Sequence, residues 1–200
     1  GETRALHFGH GCARKGLEPL LRALALTDCP DNLHLVLAGC GVTAGIGEEV
    51  MTAARRRLRV TVIDRYLQPD EVAGLFQAVD LITMPYAKLC RSPILDLAAA
   101  FRKPVLRTAR VEATQFEEGL HGLTVDHGDS TAFAATLASL AQAPEHLAAM
   151  RRALACGPDF TAETALLAAT HARIYDRALA ERAERPLVGA SAARPLVAGE

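Results

Sequence analysis

The chain has 200 residues, enough for one domain with a proper core; half are hydrophobic, 4% are aromatic and there is no Trp. A net charge of -1 argues against an electrostatic nucleic-acid binder, and no apolar run reaches the roughly 20 residues of a transmembrane segment. Five cysteines without a C-x-x-C pair and seven scattered histidines offer neither a disulfide framework nor metal spacing. With no secretory signal, a reduced, cytoplasmic setting is expected.

The opening at Gly1 rather than Met reads as an excised or processed piece of a longer chain. The first strand-like run, "RALHFG" (4–9), leads into "FGHGCARKG". Gly9 and Gly11 let that backbone turn closely, and Arg14 and Lys15 stand before a helix N-terminus. Together they suit an anion site, or a plain strand–helix turn with exposed basic residues. Over 16–27, Leu17, Leu20, Leu21 and Leu24 recur at helical spacing with Arg22 on the other face. "HLVLAG" (34–39) reads as a strand, and "GCGVTAGIG" (39–47), which lacks Lys and Arg, as a connector. The helix predicted over 46–57 runs into Arg55, Arg56, Arg57 and Arg59. That cluster reads as a solvated helix end favoured by the dipole, a polyanion role being the alternative.

"VTVID" (60–64) is the next strand, after which Arg65, Tyr66 and Leu67 emerge. Tyr66 either packs a base or caps the core. Pro69 and Asp70 open a helix over 70–79. The strand "LITMP" (81–85) is followed by Ser92 as N-cap and Pro93 as first residue of a helix over 92–101. N–H groups at 92–94 would face the same crevice as Lys15. Asp96 either offsets the helix dipole or contacts a ribose. A strand at 104–108, a helix at 112–119 and a strand at 122–126 follow. Asp129 or Ser130 caps a helical remainder, "STAFAATLASLAQ", "PEHLAAMRRALA" and a long helix over 161–182. Residues 183–200, rich in small residues with Pro and Gly, are expected to form a flexible tail.

Apolar strands alternating with amphipathic helices indicate an α/β fold: a Rossmann-like doubly wound parallel sheet of about six strands with extra C-terminal helices. Ligands of such sheets bind outside the carboxyl ends of the strands, where strand order reverses.

Taken in order, "FGHGCARKG", "LHLVLAGCG", "VTVIDRYLQPDEVAGLFQAVDLITMPY", "LDLAAAFRKPVLRT" and "GLHGLTVDHGDSTAFAATL" resemble the motifs of a known family. It is the C-terminal, donor-binding half of retaining glycosyltransferases of the GT-B fold, family 4 (group 1) type. The resemblance runs from about Leu6 to about Ala180. It implies a nucleoside-diphosphate sugar as donor, with the diphosphate held by Gly9, His10, Arg14, Lys15 and Gly16. His10 stands where the family carries Arg. Donor base and sugar would meet Tyr66, Leu67, Ser92, Pro93, Ile94 and Asp96. The family's paired Glu residues correspond to Leu89 and Leu97, its loop Gly to Ser92, and a further Gly to Arg102.

The resemblance also implies that no metal or other cofactor is required. It makes 1–182 the donor-binding domain, with the helix over 161–182 bracing an N-terminal acceptor-binding domain outside this chain. The chain alone is then expected to be inactive. A catalytically silent binding or assembly module is the alternative, favoured by the missing Glu pair.

Overall fold

A computed structural model describes residues 1–113 and 116–156. The helix expected over 161–182 and the tail over 183–200 lie outside the described residues. Among the described residues six strands form one sheet: β1 Thr3–Phe8, β2 Leu33–Ala38, β3 Arg59–Ile63, β4 Leu81–Met84, β5 Val105–Thr108 and β6 Gly122–Val125. Every pairing is parallel and the order is β3-β2-β1-β4-β5-β6. The chain starts mid-sheet at β1, winds outward to β3, crosses back to β4 and winds the other way. Order therefore reverses between β1 and β4, where Leu6 pairs with Ile82.

Among the described residues six α-helices cover the sheet: α1 Leu17–Leu26, α2 Glu48–Arg55, α3 Pro69–Ala78, α4 Pro93–Ala100, α5 Ser130–Gln142 and α6 Pro144–Cys156. Both faces are covered, which explains why β2 is buried at all its positions and reads as an unbroken apolar run. Alternate strand residues feed two cores. Ala5, Leu35 and Leu37 pack with Leu20, Leu24, Phe133 and Leu137. Leu6, Val36 and Ile82 pack with Phe76, Ile94 and Ala98. Each fully buried Leu contributes roughly 1.5–3 kcal/mol.

The helix starts follow their local chemistry. Gln68 and Glu71 form a reciprocal capping box ahead of α3, with Pro69 in the first turn. Of the two candidates before α5, Asp129 is the cap, its carboxylate accepting from Ala132 N at 2.7 Å. Lys103 closes the end of α3 by donating to Gln77 O and Val79 O.

The helix predicted over 112–119 does not form among the described residues. Val111 instead bridges Cys90, and Glu112 N donates to Cys90 O at 3.1 Å. Glu118 accepts from Thr124 N, and Gly119 is left-handed at φ 79°. Glu118 is thus engaged by β6 and Glu112 by Cys90, and Phe116 covers Arg107.

Candidate functional site

The carboxyl ends of β1 and β4 bound a crevice where strand order reverses, as the doubly wound topology requires of a ligand site. On the β1 side, the loop turns at Gly9 (φ 129°), makes one 3-10 turn over Ala13–Lys15 and enters α1 through left-handed Gly16. A side chain at Gly16 would run into the Pro85 carbonyl. The loops after β1 and β4 are thus in backbone contact, and Ala87 N donates to Arg14 O at 2.9 Å. Gly9 also donates its N–H to Ala38 O, and a Cβ on Gly11 would strike Gly41 O. Three loops are packed backbone to backbone.

Lys15 is half-buried in this packing. Its Nζ donates to Phe8 O at 3.2 Å and lies 5.4 Å from the centre of the Tyr86 ring. Burial pushes its pKa below the usual lysine value. An ammonium so placed is partly desolvated and retains further N–H donors for a ligand oxygen. Arg14 and His10 are exposed on the same loop, His10 beside Gly41.

Tyr86 links the two sides. It is buried, its carbonyl accepts from Thr108 Oγ1 at 2.7 Å, and its hydroxyl lies 3.1 Å from Ser92 Oγ. Desolvation raises its pKa, with the Ser92 contact opposing. Ser92 caps α4, its Oγ accepting from Ile94 N at 3.4 Å. Pro93 brings no N–H and Leu95 N is taken by Ser92 O. The start of α4 therefore offers fewer free donors than its sequence suggested. Asp96 is exposed on α4, Ile94 is buried, and Leu97 packs against the second core.

The predicted residues Gly9, Arg14, Lys15, Gly16 and Ser92 converge here. Tyr66 and Leu67 follow β3, with β2 standing between β3 and β1. Tyr66 is 70% exposed, whereas Leu67 is buried in the second core, its side chain committed to packing. Arg65 is held away by Glu71, whose pKa falls to about 2 through that contact and the Gln68 amide.

Sequence reasoning missed two residues. Tyr86 was legible only as a polar-tipped aromatic closing a strand. His7, on β1 below the loop, is 2% exposed with its Nδ1 unpartnered. Burial, with Lys15 nearby, depresses its pKa to about 3. It lines a cavity of about 80 Å³ together with Cys12, Lys15, Glu18 and Val42.

The family described as Glycosyl transferases group 1 matches residues 2–143. No curated protein matches the chain. Among solved structures, the chain is similar to HepE of Anabaena in complex with UDP at 18% identity and TM-score 0.61, covering 76% of this chain and 43% of that one. The C-terminal domain of a glycosyl transferase group 1 family protein, LpcC of Francisella tularensis, gives 17% identity, TM-score 0.63 and coverage of 77% and 83%. Sucrose-phosphate synthase of Thermosynechococcus elongatus gives 20%, 0.61, and 88% and 46%. The chain thus spans less than half the length of HepE, and at these identities the likeness is one of fold. No helix among the described residues is long and apolar enough to cross a membrane.

Proposed function

Because the chain belongs to the group 1 glycosyl transferases, we propose that it is the donor-binding half of an enzyme that transfers a sugar from a nucleoside-diphosphate sugar to an acceptor, with retention. A second, N-terminal domain supplies the acceptor site, and the chain acts in the cytoplasm. The observation that carries this reading is the half-buried Lys15 ammonium at the strand-order reversal, in a loop fixed by glycine packing against the loops after β2 and β4.

On this reading Lys15, with exposed Arg14 and His10, neutralises the diphosphate. Charge that develops on the leaving phosphate as the glycosyl bond breaks meets an ammonium already in place. Lys15 is oriented by Phe8 O and the Tyr86 ring, so little reorganisation accompanies the step. Lys15 and Arg14 supply charge that a metal would otherwise bring. HepE was solved with UDP, which makes uridine nucleotides the first ligands to try.

Titration of UDP, GDP and ADP, followed by amide shifts or calorimetry, tests the proposal. A dissociation constant on the order of 0.1–1 mM, equivalent to roughly 4–5.5 kcal/mol, is expected, with shifts centred on Lys15 and Ser92. Lys15→Ala should weaken binding at least several-fold, since a charge-assisted hydrogen bond contributes about 1.5–3 kcal/mol. Saturating nucleotide that leaves those amides unmoved would support a silent binding or assembly module instead. Leu89 and Leu97, where the resembled motif carries Glu, favour that second reading.

A further inference from the structure

Tyr86 and Ser92 set two hydroxyl groups 3.1 Å apart on the β4 side of the crevice, and distance alone does not say which donates. Burial decides the direction. Tyr86 is 2% exposed, and among the described residues Ser92 Oγ is the acceptor within reach of its hydroxyl. A buried phenol that accepted from Ser92 would leave its own hydrogen without a partner, which folded proteins rarely tolerate. Desolvation raises the Tyr86 pKa, so the phenol keeps that hydrogen at neutral pH. Tyr86 therefore donates and Ser92 accepts. Ser92 Oγ accepts a second bond from Ile94 N at 3.4 Å.

A serine hydroxyl has two acceptor lone pairs and one hydrogen. With both lone pairs taken, the hydrogen is fixed in direction and has no acceptor among the described residues. Ser92 is only half-buried, so that hydrogen is open to a ligand. The same Tyr86 ring carries the Lys15 ammonium 5.4 Å from its centre. One aromatic side chain thus separates a cation from an oriented O–H donor, and both suit a ligand with anionic oxygens. The amides of α4 add little, Leu95 N being taken by Ser92 O. In the strand order β3-β2-β1-β4, Ser92 lies on the far side of Lys15 from the loops after β2 and β3. We propose that, with the nucleoside over those loops, the Ser92 hydroxyl donates to the terminal phosphate of the nucleoside diphosphate, and that Tyr86 is the positioning residue that orients it. The proposal rests on the donor-binding reading above.

The test titrates UDP (or GDP or ADP, whichever binds) into the intact chain and follows its two phosphorus resonances together with the amide shifts. Ser92→Gly lacks the hydroxyl yet caps a helix nearly as well as Ser. It should weaken binding about tenfold, as expected for a lost hydrogen bond to a charged group. Tyr86→Phe keeps the ring beneath Lys15 but lets the Ser92 hydroxyl turn, so a loss of about threefold is expected. In both variants the bound terminal-phosphorus resonance should move while the one next to the ribose stays in place. Adding Tyr86→Phe to Ser92→Gly should weaken binding no further, because the phenol acts only through that hydroxyl. Ser92→Thr retains a hydroxyl, should keep most of the affinity, and covers the case in which glycine disturbs the start of α4. Binding by Ser92→Gly within about twofold of the parent, with Lys15→Ala still weak, overturns this proposal and leaves the donor-binding reading intact. Movement confined to the phosphorus next to the ribose also overturns it, and additive losses in the double variant remove the positioning role of Tyr86. If no nucleotide binds the parent chain, the donor-binding reading fails and this proposal with it.

Discussion

The two sides of the crevice are built differently. After β1, the loop is held by backbone against backbone: Gly11 and Gly16 lie where a side chain would strike Gly41 O and Pro85 O. After β4 and β5, backbone bonds joining Cys90 to Arg110 and Glu112 are supplemented by side-chain contacts. Ser92 Oγ caps α4 over a long 3.4 Å bond, Arg91 meets Glu112 at 3.8 Å, and Leu89 is 59% exposed. Backbone contacts cannot be exchanged without moving a strand end, whereas side-chain contacts can change one residue at a time. The first region therefore fixes where a charge is held, and the second is free to change what is recognised beside it.

The hardest way to break that contrast is Gly16→Ala. Its Cβ would meet the Pro85 carbonyl while Gly16 sits at φ 67°, so a loss of roughly 2–4 kcal/mol is expected. Urea midpoints measure it, and a loss below 1 kcal/mol would show that the loops after β1 and β4 are not locked together.

Acid probes the same region from below. Folded His7 is held near a pKa of 3 against an ordinary 6.5. Below pH 6.5 the unfolded chain therefore takes up a proton that the folded chain refuses. The associated stability is complete above pH 6.5 and falls by about 1.4 kcal/mol per pH unit as pH drops toward 3. At pH 5 the loss is about 2 kcal/mol, and His7→Gln should remove this part of the slope. An unchanged slope in that variant would mean that His7 is open to solvent.

On the β4 and β5 side the effects should be smaller. Ser92→Ala removes the cap of α4 at an expected cost of about 1 kcal/mol, with the fold intact by circular dichroism. A cost as large as that of Gly16→Ala would erase the distinction between the two regions. The smallest effect is a gain. Arg102, just past α4, is the one described non-glycine residue at positive φ, 54°. Arg102→Gly should stabilise by about 0.5–1 kcal/mol, left-handed backbone being costly for a residue with a Cβ. A loss instead would mean that the Arg102 side chain makes contacts that outweigh the strain.

Arg102 also shows how much a sequence pattern carries. The resemblance marked it as a position where Gly is usual, and the backbone there is left-handed. The strand at 34–39 was legible to within a residue because burial on both faces leaves an apolar run, and that at 60–64 to within a residue although β3 is only half-buried. The helix expected at 112–119 does not form because the partners of Glu112, Glu118 and Phe116, namely Cys90, Thr124 and Arg107, lie elsewhere in the chain.

The sequence by itself determined the alternation of strands and helices, the cap at Ser92 and the glycine-lined loop bearing Lys15. These depend on neighbours a few residues away. Only the tertiary structure decided that β1 pairs with β4, that Lys15 lies over Tyr86, that His7 is sealed from water and that Arg107 joins Arg91 in one cleft. Lys15 and Tyr86 stand on loops after different strands, and no local period records which strands the sheet sets side by side. Pairing β1 with β4 follows from the right-handed crossovers and the burial of both sheet faces, which act on the whole chain at once.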